Sequence, residues 1–168
     1  MKNFILVIAA AFVCLSSNAV FSQCKTLKDK KDVYTGKQEL VVQSNSLFKI
    51  GYKTKFELSA IDTTLYLSIT IGDLNIFTVR EKQNLLLRTS THICELPCTN
   101  TVIASSSEYG WMSTITYSIS KEKLKKLLSS DFYSMRVNTT DYRKDYEFRS
   151  KDSNNLKETI QCFMDKIQ

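Results

Sequence analysis

Between residues 48 and 71 the chain alternates. Phe48, Ile50, Tyr52, Thr54, Phe56, Leu58 and Ala60 take turns with Lys49, Gly51, Lys53, Lys55, Glu57 and Ser59. After Asp62-Thr63-Thr64, the residues Leu65, Leu67, Ile69 and Ile71 alternate with Tyr66, Ser68 and Thr70. A period of two sends successive side chains to opposite faces of a strand, so each run has one apolar and one wet face. Two such runs around a polar turn predict a long antiparallel hairpin. A hairpin with one apolar face cannot stand alone, so the rest of the chain must supply a cover.

Further short apolar runs follow, over residues 74–80, 85–93, 102–104 and 114–120, separated by polar turns such as Glu81-Lys82-Gln83-Asn84 and Ser105-Ser106-Ser107-Glu108. Strands at this spacing describe an antiparallel meander. Upstream, residues 25–31 read as a basic, solvated arm. Val33-Tyr34-Thr35-Gly36 with Leu40-Val41-Val42 reads as a turn and a short strand.

The period changes after Ile119. Leu124, Leu127 and Leu128 make one helical stripe, with Lys121, Lys123, Lys125 and Lys126 toward water. Ser120 is placed to cap that helix and Glu122 to favour its first turn. Residues 132–138, with Tyr133, Met135 and Val137 on one face, and 142–149, with Tyr142, Tyr146 and Phe148, read as two strands. Leu156, Ile160, Phe163, Met164 and Ile167 then share one face of a closing helix, capped by Asp152 or Ser153. The expected fold is α+β: an antiparallel β-meander of about six to eight strands covered by two helices near the C-terminus.

Residues 1–22 have the form of a secretory signal peptide, with Lys2, an apolar run over 4–15 and a small-residue exit at Ala19 to Ser22. That leaves 23–168 as a single exported domain, with no transmembrane helix in the mature chain. Its formal charge is one below the +6 of the whole chain. A lipid-anchored form through Cys24 is less favoured, because Gln23 stands where a lipoprotein signal has a small residue. With Cys14 removed, Cys24, Cys94, Cys98 and Cys162 remain, an even count that suggests bridges in an exported chain. Of the three pairings, Cys94–Cys98 with Cys24–Cys162 is favoured: one closes the Glu95-Leu96-Pro97 loop, the other ties the N-terminal arm to the outside of the last helix.

Little in the sequence speaks for catalysis. His92 is the single histidine, it sits on an expected strand, and no serine lies in a nucleophile-elbow pattern. His92, Cys94 and Cys98 fall one ligand short of a structural zinc site. Gly36, Gly51, Gly72 and Gly110 are too scattered for a phosphate loop. No metal or cofactor is expected. Strand aromatics alternate with the apolar set, which reads as core rather than as a stacking platform, so nucleic acid is not an expected partner.

What remains is surface recognition. Tyr109 and Trp111, on a loop beside Gly110, are candidate anchors. Lys49, Lys53 and Lys55, on the wet face of the first strand, could meet an anionic polymer or protein. The expected function is therefore a non-catalytic exported domain that binds another macromolecule at the cell envelope. A secreted enzyme using carboxylates, or a purely structural envelope accessory protein, are the alternatives.

Tyr117-Ser118-Ile119-Ser120, the leucine stripe after it, Met135-Arg136-Val137, Tyr146-Glu147-Phe148 and a last helix bearing Cys162 form a pattern. Together with the Val20-Phe21-Ser22-Gln23 exit, it resembles small exported proteins of unassigned function from Bacteroidota. The resemblance implies a compartment and a way of ending the fold, and no catalytic residues.

Overall fold

The structure is a computed structural model and describes residues 25–44, 54–107 and 110–167. In chain order these form β1 (Lys25–Lys31), β2 (Gln38–Gln43), β3 (Lys55–Ile61), β4 (Thr64–Asp73), β5 (Thr78–Val79), β6 (Asn84–Thr89), β7 (Ile93–Pro97), β8 (Val102–Ile103), β9 (Ser105–Ser107) and β10 (Gly110–Ile119). Then come α1 (Lys121–Leu128), β11 (Phe132–Asn138), β12 (Arg143–Glu147) and α2 (Ser150–Lys166). The fold is α+β with antiparallel strands and two helices in the C-terminal part.

The strands are shared between two sheets and one short pair, in the orders β1-β2-β3-β4-β10-β9, β12-β11-β6-β7 and β5-β8. The β3–β4 hairpin forms as its alternation predicts, with Phe56 opposite Ile69, Leu58 opposite Leu67 and Ala60 opposite Leu65. Asp62 closes its turn at φ 54°, a left-handed conformation that aspartate tolerates better than most residues. The part of this run before Thr54 lies outside the described residues. Leu74 and Ile76 are exposed, so the strand expected over 74–80 shrinks to Thr78–Val79. The chain crosses there to build the second sheet and returns as β10 alongside β4.

Phe56, Leu58, Leu67, Ile69, Ile115 and Tyr117 line the inner face of the six-stranded sheet, all buried. α2 covers it at β2 and β3 with Leu156, Ile160, Phe163 and Met164. The four-stranded sheet supplies Leu85, Leu87, Leu96, Met135 and Val137 to the same core. Phe148, just beyond β12, joins the parts: its ring lies 6.2 Å from Phe56 and 5.5 Å from Phe132, centroid to centroid. Each fully buried side chain of this size is worth about 1.5–3 kcal/mol in transfer free energy.

Some details depart from the sequence reading. Residues 25–31 are a strand at the sheet edge, hydrogen-bonded to β2, although every residue in it is exposed. Tyr133 points outward because the register shifts between Phe132 and Ser134, and the bulge turns Phe132 inward instead. α2 starts three to four residues earlier than expected. Its N-cap is Arg149, and Asp152, at the third helical position, accepts from the Arg149 backbone N–H at 3.4 Å. Ser153 is buried and its hydroxyl accepts from the Phe132 N–H at 3.0 Å, joining helix to sheet. Ser120 does cap α1, accepting from the Lys123 N–H at 3.3 Å.

Candidate recognition surface

The cysteine pair of the second sheet is not a bridge. Cys94 and Cys98 are buried free thiols. Four residues along an extended chain separate their α-carbons by about 13 Å, and a disulfide spans at most about 7 Å. Cys94 lies opposite Leu87 on β7, and Cys98 pairs with Tyr117 of β10. Burial pushes both thiols up, away from the reactive thiolate. Cys162, half-buried on α2, is not a free thiol, and Cys24 lies outside the described residues. His92 sets its Nδ1 2.9 Å from the Thr91 hydroxyl and 3.2 Å from that of Thr89, which makes it part of a turn. Among the described residues no group of three metal-ligating side chains comes together.

Among the described residues no two carboxylates are bonded to each other. Asp152 is buried and Asp73 half-buried, and each has its own cation. Asp152 takes two bonds from the Arg149 guanidinium, at 2.7 and 3.0 Å. Asp73, at the end of β4, accepts from the Tyr142 hydroxyl at 3.1 Å and pairs with the Lys144 ammonium. Lys144 also donates to the Gly72 carbonyl at 2.7 Å. Burial would raise the Asp73 carboxyl, but Lys144, the Asn75 N–H and Tyr142 outweigh it and hold the group below its ordinary value. Burial first, then the bond to Asp73, pushes Tyr142 up to about 12. The cluster stitches β4 of one sheet to β12 of the other.

A groove of about 910 Å³ opens where β2, the β3–β4 turn, the start of α1 and the end of α2 meet. Its floor is Leu40, Ala60 and Ile119. Three of the charged residues on its rim are engaged: Asp62 with Lys37 at 3.2 Å, Asp29 with the Gln38 amide at 3.1 Å, and Lys123 with the Glu95 carbonyl at 2.6 Å.

Of the expected anchors, Tyr109, Lys49 and Lys53 lie outside the described residues. Trp111 is on β10, opposite Asp73 and Ser106, half-buried and packed against the core. It is a strand residue rather than a loop tip. Lys55 is on the outer face of β3 next to Glu57, whose carboxyl burial pushes up and Lys55 pulls down. That face is otherwise hydroxylic, with Ser68 bonded to Thr116 at 3.0 Å and Thr70 to Thr114 at 2.9 Å. The structure does not bring Trp111 and Lys55 into one patch: their strands sit on either side of β4 and their side chains on opposite faces.

The sequence reading passed over the tip of the β1–β2 hairpin. Val33 is 91% exposed and Tyr34 99%. They are held out by a tightly bonded turn. The Asp32 carboxylate accepts from the Tyr34 N–H at 2.9 Å, the Thr35 N–H at 2.6 Å and the Thr35 hydroxyl at 2.9 Å. The Gly36 N–H donates to the Asp32 carbonyl, and the Asp32 N–H to the Lys37 carbonyl. Gly36 has φ +71°, which glycine adopts without penalty. The Thr35 N–H and then its hydroxyl hold Asp32 below the usual carboxylate range. Lys30, Lys31 and Lys37 flank the tip. Lys28 is paired with Glu39 and Lys37 with Asp62, while Lys25, Lys30 and Lys31 form no ion pair among the described residues. The sequence marks Val33 to Gly36 as a turn, but not how far its apolar side chains stand out.

The chain matches no protein-family model, and neither a curated protein nor a solved structure matches it. Among the described residues no helix is long and apolar enough to cross a membrane.

Proposed function

We propose that this chain is a non-catalytic exported domain that binds another macromolecule at the cell envelope, with the β1–β2 hairpin as its contact. The observation that carries the reading is the fully exposed Val33–Tyr34 pair on a preorganised turn. An aromatic and a β-branched side chain held in water have no role in folding, and exposed aromatics on rigid loops are common anchors of recognition. Ordering costs are small because the turn is already fixed by its own hydrogen bonds.

Export is supported by the form of residues 1–22 and by the cysteines. With Cys94 and Cys98 free, the bridge that remains to propose is Cys24–Cys162. It would join the residue before β1 to α2 and so fasten the base of the hairpin to the body. Intact mass of the exported protein should rise by one pair of hydrogens on reduction, with two thiols alkylated beforehand only after unfolding. A rise of two pairs would restore the Cys94–Cys98 bridge and count against this arrangement.

The recognition reading is tested by capture of envelope macromolecules with the exported protein, repeated with Val33→Ser/Tyr34→Ser and separately with Trp111→Ala. Capture should be lost with the hairpin variant and kept with Trp111→Ala. Capture indifferent to the hairpin variant would remove the hairpin from the function.

A further inference from the structure

We infer that the partner met by the hairpin tip is an anionic lipid surface, with Val33 and Tyr34 seated among the headgroups and Lys30 and Lys31 against their phosphates. The inference rests on the recognition reading above and names the partner of that same hairpin. Three features of the tip favour a bilayer over a protein. It is convex and narrow: two side chains project from a turn. A stable protein interface needs about 800 Å² from each partner, which such a finger does not offer unless the partner supplies a fitted pocket. A bilayer interface closes around any small apolar projection and asks for no matching shape.

The residue types are also those of a lipid interface. Tyrosine suits the headgroup level, where its ring is covered and its hydroxyl stays wet. Val33 adds an apolar body beside it. Finally, the charge is complementary. Lys30 and Lys31 are adjacent on β1, so their side chains leave on opposite faces of the hairpin and flank the tip on both sides. Neither is paired with an acid among the described residues, and each such cation near an anionic surface adds attraction that salt weakens. Of the acids nearest the tip, Asp32 is turned inward onto its own turn, Asp29 is bonded to Gln38, Glu39, opposite Lys30, is paired with Lys28, and Asp62 is paired with Lys37.

The same features argue against a second copy of the chain as the occupant. Edge pairing of β1 with β1 of another molecule would set Lys25, Lys28, Lys30 and Lys31 of each strand against those of the other, and lysine on an edge strand is a usual barrier to such pairing.

The test is co-sedimentation of the exported protein, with loss of residues 1–22 checked by intact mass, with vesicles of phosphatidylglycerol and phosphatidylcholine in equal parts, and with phosphatidylcholine alone. Binding to the anionic vesicles is expected, with little to the neutral ones. Val33→Ser/Tyr34→Ser should weaken it by about tenfold or more. Lys30→Glu/Lys31→Glu should abolish the preference for anionic lipid, and added salt should do so progressively. All four positions are solvent-exposed, so the melting temperature should not move, and circular dichroism checks that the variants fold. Absence of vesicle binding, or binding unchanged in the Val33→Ser/Tyr34→Ser variant, overturns the lipid proposal. The capture experiment separates that failure from failure of the recognition reading. Capture of a protein or polysaccharide that the hairpin variant loses would leave recognition standing and replace the lipid as partner.

Discussion

Two neighbouring hairpins of one sheet are put to opposite uses. In β3 every second residue is buried, β4 buries Leu67, Ile69 and Ile71 beside it, and Phe56, Leu58, Leu67 and Ile69 all belong to the core. In β1–β2 the inner strand shares in that core through Leu40 and Val42, while β1 buries none of its residues. The backbone ladder is the same antiparallel one in both. What differs is where the side chains go. A ladder whose side chains stay in water adds little net stability, because its hydrogen bonds replace bonds to water. Such a strand is retained at small cost and is free to present its tip. The β3–β4 hairpin therefore sends both its strands into the core, while the most exposed apolar pair of the sheet, Val33 and Tyr34, sits at the tip of β1–β2.

That division can be broken first at its strong end. Phe56→Ala removes a ring that touches Phe148 at the meeting of the two sheets, and should cost about 3–5 kcal/mol in a denaturant titration. A loss below about 1 kcal/mol, the size of a surface effect, would mean the core is centred elsewhere.

The next effect belongs to the cross-sheet cluster. Asp73→Ala leaves the Lys144 ammonium half-buried without its carboxylate, for an expected loss of roughly 1.5–3 kcal/mol. The sign of its pH dependence is fixed. Asp73 has a folded value below its unfolded one, so its contribution is whole above the unfolded value and disappears as pH falls through the folded one. Wild type should therefore lose stability on acidification more steeply than Asp73→Ala, as thermal melts across the acid range would read.

At the hairpin, Gly36→Ala meets open space, the nearest atom being the Lys31 Cε at 4.0 Å. Its effect is therefore on the backbone alone, about 1–2 kcal/mol against the left-handed conformation. Since β1 is held by little else, that cost should appear as faster amide exchange in β1 with the exchange of β3 and β4 unchanged. Equal change in both hairpins would show that they unfold together. Smallest of all, Val33→Ser/Tyr34→Ser should shift stability by no more than about 0.5 kcal/mol, while removing the binding assigned to the tip. A large stability change there would assign the pair to folding instead.

The alternation over 54–71, the leucine stripe of α1, the apolar face of α2 and the Ser120 cap were legible because each is a local pattern. The division into two sheets was not. β4 pairs with β10 across the thirty-six residues between them, and nothing local distinguishes that partner from β5. The bulge that exposes Tyr133 is likewise a matter of register with β6. Cysteine counting pointed to a Cys94–Cys98 bridge, but the extended backbone of β7 keeps the two thiols apart. The recognition residues fared unevenly. Trp111 read as a loop anchor because of the Ser-rich stretch and Gly110 before it, whereas β9 and β10 pair across that stretch and draw the indole onto the core. Val33 to Gly36 read as a turn, but how far Val33 and Tyr34 stand out from it depends on hydrogen bonds that form only on folding.

The sequence by itself determined that this is an α+β chain of antiparallel strands and two covering helices, because side-chain period and helix caps act over a few residues. The tertiary structure decided which strands share a sheet, that Cys94 and Cys98 stay free thiols, and that Val33 and Tyr34 are held out into water. Those outcomes depend on contacts between segments far apart in the chain, where burial and strand register outweigh local preference.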